Sequence, residues 1–125
     1  MENRSHILML TQLMGFLILL SLVMPGMPAY ADEAKQVEII SEEFSFSPKK
    51  IEVQADQELH ITLANHGALA HNITFKDKAV ATDTIQGDEK TTTTVTFSEP
   101  GQYEFICSVP GHANAGMKGQ VVVNN

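Results

Sequence analysis

One short stretch near the C-terminus gathers residues able to hold a soft metal ion. Cys107 is the only cysteine of the 125-residue chain, His112 follows it five positions on, and Met117 follows five positions after that. A thiolate, an imidazole and a thioether offered from one loop suit copper better than zinc, calcium or magnesium. A second imidazole would complete a mononuclear site of two histidines, one cysteine and a long axial methionine. His71 is the candidate, because Ile73 and Phe75 alternate onto its face and so turn it inward at the start of a strand. His66 competes, but it stands in the turn signal Asn65-His66-Gly67 and lacks a strand to hold it. His60 lies between the apolar positions Leu59 and Ile61, points outward with Thr62 and reads as a solvated strand residue.

The elements that must position these donors read as short strands. Val37 to Ile40, the Phe44-Ser45-Phe46 alternation, Ile51 to Val53 and Leu59 to Leu63 come first, with Ser47-Pro48 and Ala55-Asp56-Gln57 as breaks. His71 to Phe75 follows, then the β-prone run Thr91 to Phe97, the turn Glu99-Pro100-Gly101, and the alternation of Tyr103, Phe105 and Cys107. Gly119 to Val123 closes the chain. Thr82 to Lys90 reads as loop or a short helix. No useful helical periodicity lies beyond the N-terminal segment, so the pattern predicts an all-β, antiparallel Greek-key sandwich or barrel of about seven to eight strands.

The N-terminus differs from the rest. Ile7 to Met24 is almost wholly apolar, Arg4 precedes it, and Pro25, Pro28 and Ala29-Tyr30-Ala31 follow it. This is the pattern of a helical signal peptide over 1–31, cleaved after Ala31, with a single domain over 32–125. An uncleaved anchor is the rival reading. Export with one cysteine excludes an internal disulfide framework, and a free thiol in an oxidising compartment needs something to occupy it. Bound metal would do so; an inert buried thiol is the plainer alternative. The formal charge is −7, and the only arginine is Arg4. Nucleic-acid binding is therefore disfavoured, whereas a basic partner would be attracted.

The run Tyr103 to Gly119, with Cys-x4-His-x4-Met and a Gly-Met-Lys-Gly ending, resembles the cupredoxins, the small blue copper proteins. Ala70-His71-Asn72-Ile73-Thr74-Phe75 resembles their first-ligand segment, and Phe44 to Val53 is similar to their early strand. The Cys-to-His gap is longer than in the plastocyanins and closer to the auracyanin and rusticyanin type. The resemblance implies copper ligands His71, Cys107, His112 and Met117. It also implies that Asn72 hydrogen-bonds the first-ligand loop to the cysteine loop.

The function expected from this is an exported, periplasmic or extracytoplasmic one-electron carrier cycling one copper ion between Cu(II) and Cu(I). It is expected to be a monomer that meets redox partners transiently, and not an enzyme, since four protein ligands leave no open position on the metal. Val109, Pro110 and Ala113, joined by Ala115, Ala68 and Leu69, would form an apolar docking patch around His112. The alternative is an envelope copper carrier that delivers the ion. A multicopper oxidase or nitrite reductase domain would need more ligand histidines and more chain, and a dinuclear copper centre would need a second cysteine.

Overall fold

The structure is a computed structural model, and it describes residues 33–125. The leader, the cleavage site and the 31/32 boundary expected from the sequence lie outside these residues. Among the described residues there are nine strands: β1 (Lys35–Glu42), β2 (Ser45–Ser47), β3 (Lys50–Gln54), β4 (Glu58–Asn65), β5 (Thr74–Phe75), β6 (Val80–Ala81), β7 (Lys90–Thr96), β8 (Gly101–Ile106) and β9 (Lys118–Asn124). They form a four-stranded sheet ordered β2-β1-β4-β7 and a five-stranded sheet ordered β3-β9-β8-β5-β6. The count exceeds the sequence expectation because Val80–Ala81 pairs with Thr74–Phe75, a contact of two residues on each side.

The expectation of an antiparallel sandwich is corrected. β1 pairs with β4 in parallel, and β3 pairs with β9 in parallel. Between β1 and β4 the chain turns through β2 and crosses to the other sheet at β3, so it returns beside β1 in the same direction. Apolar alternation specifies which face of a strand is buried, not which strand lies alongside. The segment Thr82 to Lys90 holds no helix; His71 pairs there with Ile85 through an isolated bridge.

The faces follow the alternation closely. Leu59, Ile61 and Leu63 of β4, Ile51 and Val53 of β3, and Val121 and Val123 of β9 are all buried. His60 is turned away from the core and pairs with Glu58 at the surface. Four phenylalanines fill the space between the sheets. Phe105 packs against Phe46 at 5.4 Å and against Phe75 at 5.6 Å, and Phe75 packs edge-on against Phe97 at 5.6 Å. Each fully buried ring contributes roughly 1.5–3 kcal/mol by removal from water. Tyr103 borders this cluster and donates its hydroxyl to the Glu99 carbonyl oxygen at 2.8 Å, which pins the turn ahead of β8.

Phe105 lies opposite Gly119 in the β8–β9 register. A Cβ at Gly119 would come within 2.2 Å of Phe105 Cζ and 2.8 Å of the Lys49 carbonyl oxygen. Glycine is therefore required there by close approach. Gly119→Ala is expected to destabilise the protein by about 1–3 kcal/mol, the usual cost of overpacking. A urea midpoint unchanged by the substitution would contradict this packing account.

Candidate metal centre

Two loops and the end of one strand meet at one end of the sandwich. Cys107 follows the last residue of β8, and its N–H donates to the Met117 carbonyl oxygen at 3.1 Å. That bond closes a loop whose turns run through residues 110–116. Inside the loop, Met117 N–H donates to the His112 carbonyl oxygen at 3.1 Å and His112 N–H to that of Val109 at 3.1 Å. Gly111 and Gly116 take φ values of 85° and 101°, conformations that glycine adopts without a Cβ penalty. His112 and Met117 are thus fixed by the backbone of their own loop.

His71 arrives from the other side. It exchanges both backbone hydrogen bonds with Ile85, at 3.0 Å and 2.9 Å. Asn72 ties this segment to the cysteine: its Oδ1 accepts the Ser108 N–H at 2.8 Å. Its Nδ2 donates to Ser108 Oγ at 2.8 Å and to Thr84 Oγ1 at 2.9 Å. A connection between the first histidine loop and the cysteine loop therefore exists, through the residue expected to make it.

The donor atoms converge. Cys107 Sγ lies 3.5 Å from His112 Nδ1 and 4.0 Å from His71 Nδ1, and the two Nδ1 atoms are 3.2 Å apart. Among the described residues these three side chains form a group able to hold a metal ion. His71, Cys107 and Met117 are fully buried and His112 is 8 % exposed. His66 is exposed and outside the group, and His60 is held at the sheet surface by Glu58.

Burial pushes the His71 imidazole below its ordinary value of 6.5, and the neighbouring His112 lowers it further, against a weaker opposite pull from Glu43. A neutral imidazole is the form that binds metal, so the site holds this donor ready at neutral pH. His71 Nε2 is buried with no partner. Its Nδ1 faces the other two donors, so the ring is oriented by what Nδ1 meets and not by a bond at its far nitrogen. Two imidazole nitrogens and a sulfur turned toward one another, away from water, fit a soft cation better than they fit an apolar core.

Sequence reasoning missed three residues that hold this end of the molecule. Asn65 is fully buried; its Nδ2 donates to the Leu69 and Ile85 carbonyl oxygens at 2.7 Å and 3.3 Å, and its Oδ1 accepts the Gly67 N–H at 2.9 Å. The turn signal at Asn65-Gly67 was a visible trace of this. Glu43 and Phe44 are the other two. Phe44 was expected in a strand with Phe46, but β2 begins at Ser45, and Phe44 stands in the preceding turn with its ring edge-on to His112 at 5.3 Å. Nothing in the local pattern marks either residue, because their partners are distant in sequence. Of the docking residues, Pro110 is exposed and Leu69 is 44 % exposed. Ala113 is half-buried, while Val109 is half-buried and packs against the core.

Fold and site together define a cupredoxin. A family model described as a cupredoxin-like domain matches residues 14–123, and the chain belongs to that family. The chain is 35% identical over 89 residues to the chloroplastic plastocyanin of Physcomitrium patens, covering 63% of this chain and 50% of that protein. The chain thus spans half the length of that relative. It is 23% identical over 147 residues to the copper-resistant cuproprotein CopI of Pseudomonas aeruginosa, covering 78% of this chain and 81% of that one. Among solved structures, dithionite-reduced auracyanin from the photosynthetic bacterium Roseiflexus castenholzii superposes with a TM-score of 0.65 at 25% identity, over 74% of this chain and 99% of that one.

The lowered His71 value has a consequence for the metal-free protein. Above its ordinary value of 6.5 both folded and unfolded chains carry neutral His71. Below that value the unfolded chain takes up the proton first, so stability falls as pH drops through this range. Urea unfolding of the metal-free protein between pH ~7.5 and pH ~5.5 is expected to show this loss, and His71→Leu should abolish most of it. A flat profile in the parent chain would contradict it.

Proposed function

We propose that this protein is an exported blue copper protein that carries single electrons between redox partners. The observation that supports this most is the buried convergence of His71 Nδ1, Cys107 Sγ and His112 Nδ1 within 4.0 Å of one another. On this reading His71, Cys107 and His112 would hold the copper ion, and Met117, fully buried and joined to Cys107 and His112 through its backbone, would add its thioether as a weak further donor. The copper ion would supply the one-electron couple.

The chain's own part is to keep the donors where they are in both oxidation states. Cys107 is locked between β8 and the Met117 carbonyl, His112 by its loop, and His71 by the Ile85 bridge and the Asn72–Ser108 hydrogen bonds. A donor set that does not rearrange imposes little reorganisation on electron exchange. Four side chains leave no open position for a substrate, which supports a carrier over an enzyme. His112, the one partly exposed member, is the exit for the electron. Pro110 and Ala113, its neighbours in the loop, and the exposed Leu69, bonded to the Glu43 that precedes Phe44, would form the apolar contact with a partner, in the small interface that quick separation requires. The leader pattern over 1–31 supports an extracytoplasmic location.

The relationship to CopI supports a second reading, in which the same site takes up and passes on copper itself. Voltammetry and chelator competition separate the two. An electron carrier is expected to give a reversible one-electron wave and to yield copper slowly. A carrier of copper would give a poor wave and rapid loss of the ion.

Two substitutions test the ligand assignment and the docking face. His71→Ala is expected to abolish stoichiometric retention of Cu(II) on gel filtration, whereas His66→Ala retains it; the reverse result would make His66 the ligand. Ala113→Glu is expected to slow electron transfer to a protein partner several-fold at low ionic strength while leaving the visible spectrum as it was. Unchanged transfer would remove the docking face from the account.

A further inference from the structure

The two-residue turn between β1 and β2 is Glu43-Phe44, joining the Glu42–Ser45 pair. Phe44 takes φ 60°. A positive φ at the second central residue of such a turn is normally supplied by glycine or asparagine. A bulky aromatic residue there is an outlier that the local chain would not choose. Nor does burial offset the strain, because Phe44 is 43 % exposed. Phe44 and Leu69 are the large apolar side chains most open to water among the described residues.

What the ring meets is His112. The centroids are 5.3 Å apart and the planes stand at 78°, an edge-on contact. The residue beside it is anchored in turn. Glu43 Oε1 accepts the N–H of Ala68 at 2.6 Å and that of Leu69 at 3.1 Å. A Cβ at Gly67 would lie 2.5 Å from that oxygen, so carboxylate and loop are pressed together. The segment held in this way leads directly to His71. One turn thus touches both histidine-bearing loops from outside.

We propose that Glu43-Phe44 is a cap on the metal centre. Phe44 is a positioning residue that fixes the His112 ring and screens it from water, and Glu43 fastens the cap to the loop ahead of His71. This inference rests on the copper reading above and adds to it the device that sets the behaviour of the ion. His112 is 8 % exposed while His71 and Cys107 are fully buried, so solvent and chelators reach the centre at His112. An apolar ring over that point lowers the local polarity. Less water around the site disfavours the more highly charged Cu(II) and raises the reduction potential. The same ring obstructs removal of the ion.

The test is Phe44→Gly, with Phe44→Tyr as the conservative variant. Glycine suits φ 60°, so the urea midpoint of the metal-free variant is expected to equal or exceed that of the parent. With copper bound, Phe44→Gly should keep the intense visible band. Its Cu(II)/Cu(I) equilibrium should shift toward Cu(II) by about tenfold, a fall of about 59 mV for one electron. A chelator should withdraw copper several-fold faster, and Phe44→Tyr should restore both properties. Native potential and native withdrawal rate in Phe44→Gly, on a protein with the intense band, would overturn the cap and leave the copper site standing. A parent chain lacking that band would overturn both. A Phe44→Gly chain that is less stable, with a changed potential that Phe44→Tyr does not restore, would make Phe44 merely structural and also overturn the proposal.

Discussion

Everything at the functional end of this molecule depends on keeping two imidazoles and a thiol out of water and facing one another. Such groups are costly to bury unless they find partners, and here the partners are one another. Their backbones are secured independently, His71 by Ile85, Cys107 by Met117 and His112 by Val109. The side chains are therefore free to converge because the main chain is not. That division of labour is what a rigid metal site requires: backbone hydrogen bonds place the three residues, and their side chains then face one another.

The sandwich supplies the leverage. Cys107 can stand at one end of the core because Phe105, two residues earlier, is wedged into its centre against Phe46 and Phe75. Gly119 makes room for that wedge from the neighbouring strand. The register of β8 on β9 therefore links the packing of the core to the height at which the cysteine emerges, and through the Met117 carbonyl to the base of the ligand loop. On the other sheet, the turn between β1 and β2 reaches across to His112. The first part of the chain and the last thus share responsibility for a single imidazole.

How much of this was legible in the sequence follows from the range of the interactions. Burial alternation is local, so the inward face of β4 and the outward turn of His60 could be read directly, whereas the unbroken Val121-Val122-Val123 run of β9 marks no face. The spacing of Cys107, His112 and Met117 is local too, and loop closure follows from it. Strand neighbours are not local, and so the parallel pairings of β1 with β4 and β3 with β9 could not be read. Phe44 illustrates the failure best. Its alternation with Phe46 suggested a strand residue, yet the hairpin turn ends one position later and turns the ring onto His112, 68 positions away in the chain. Asn65 and Glu43 escaped notice for the same reason, since each holds backbone that becomes a neighbour only after folding.

The convergence of His71, Cys107 and His112 would hold copper through the cysteine sulfur in a geometry set by the fold. The visible and electron spin resonance spectra of the protein after addition of Cu(II) test it most directly. An intense sulfur-to-copper charge-transfer band with narrow copper hyperfine splitting is expected, both lost in Cys107→Ser. A weak band with the wide splitting of ordinary tetragonal copper, or spectra that Cys107→Ser leaves unchanged, would contradict it.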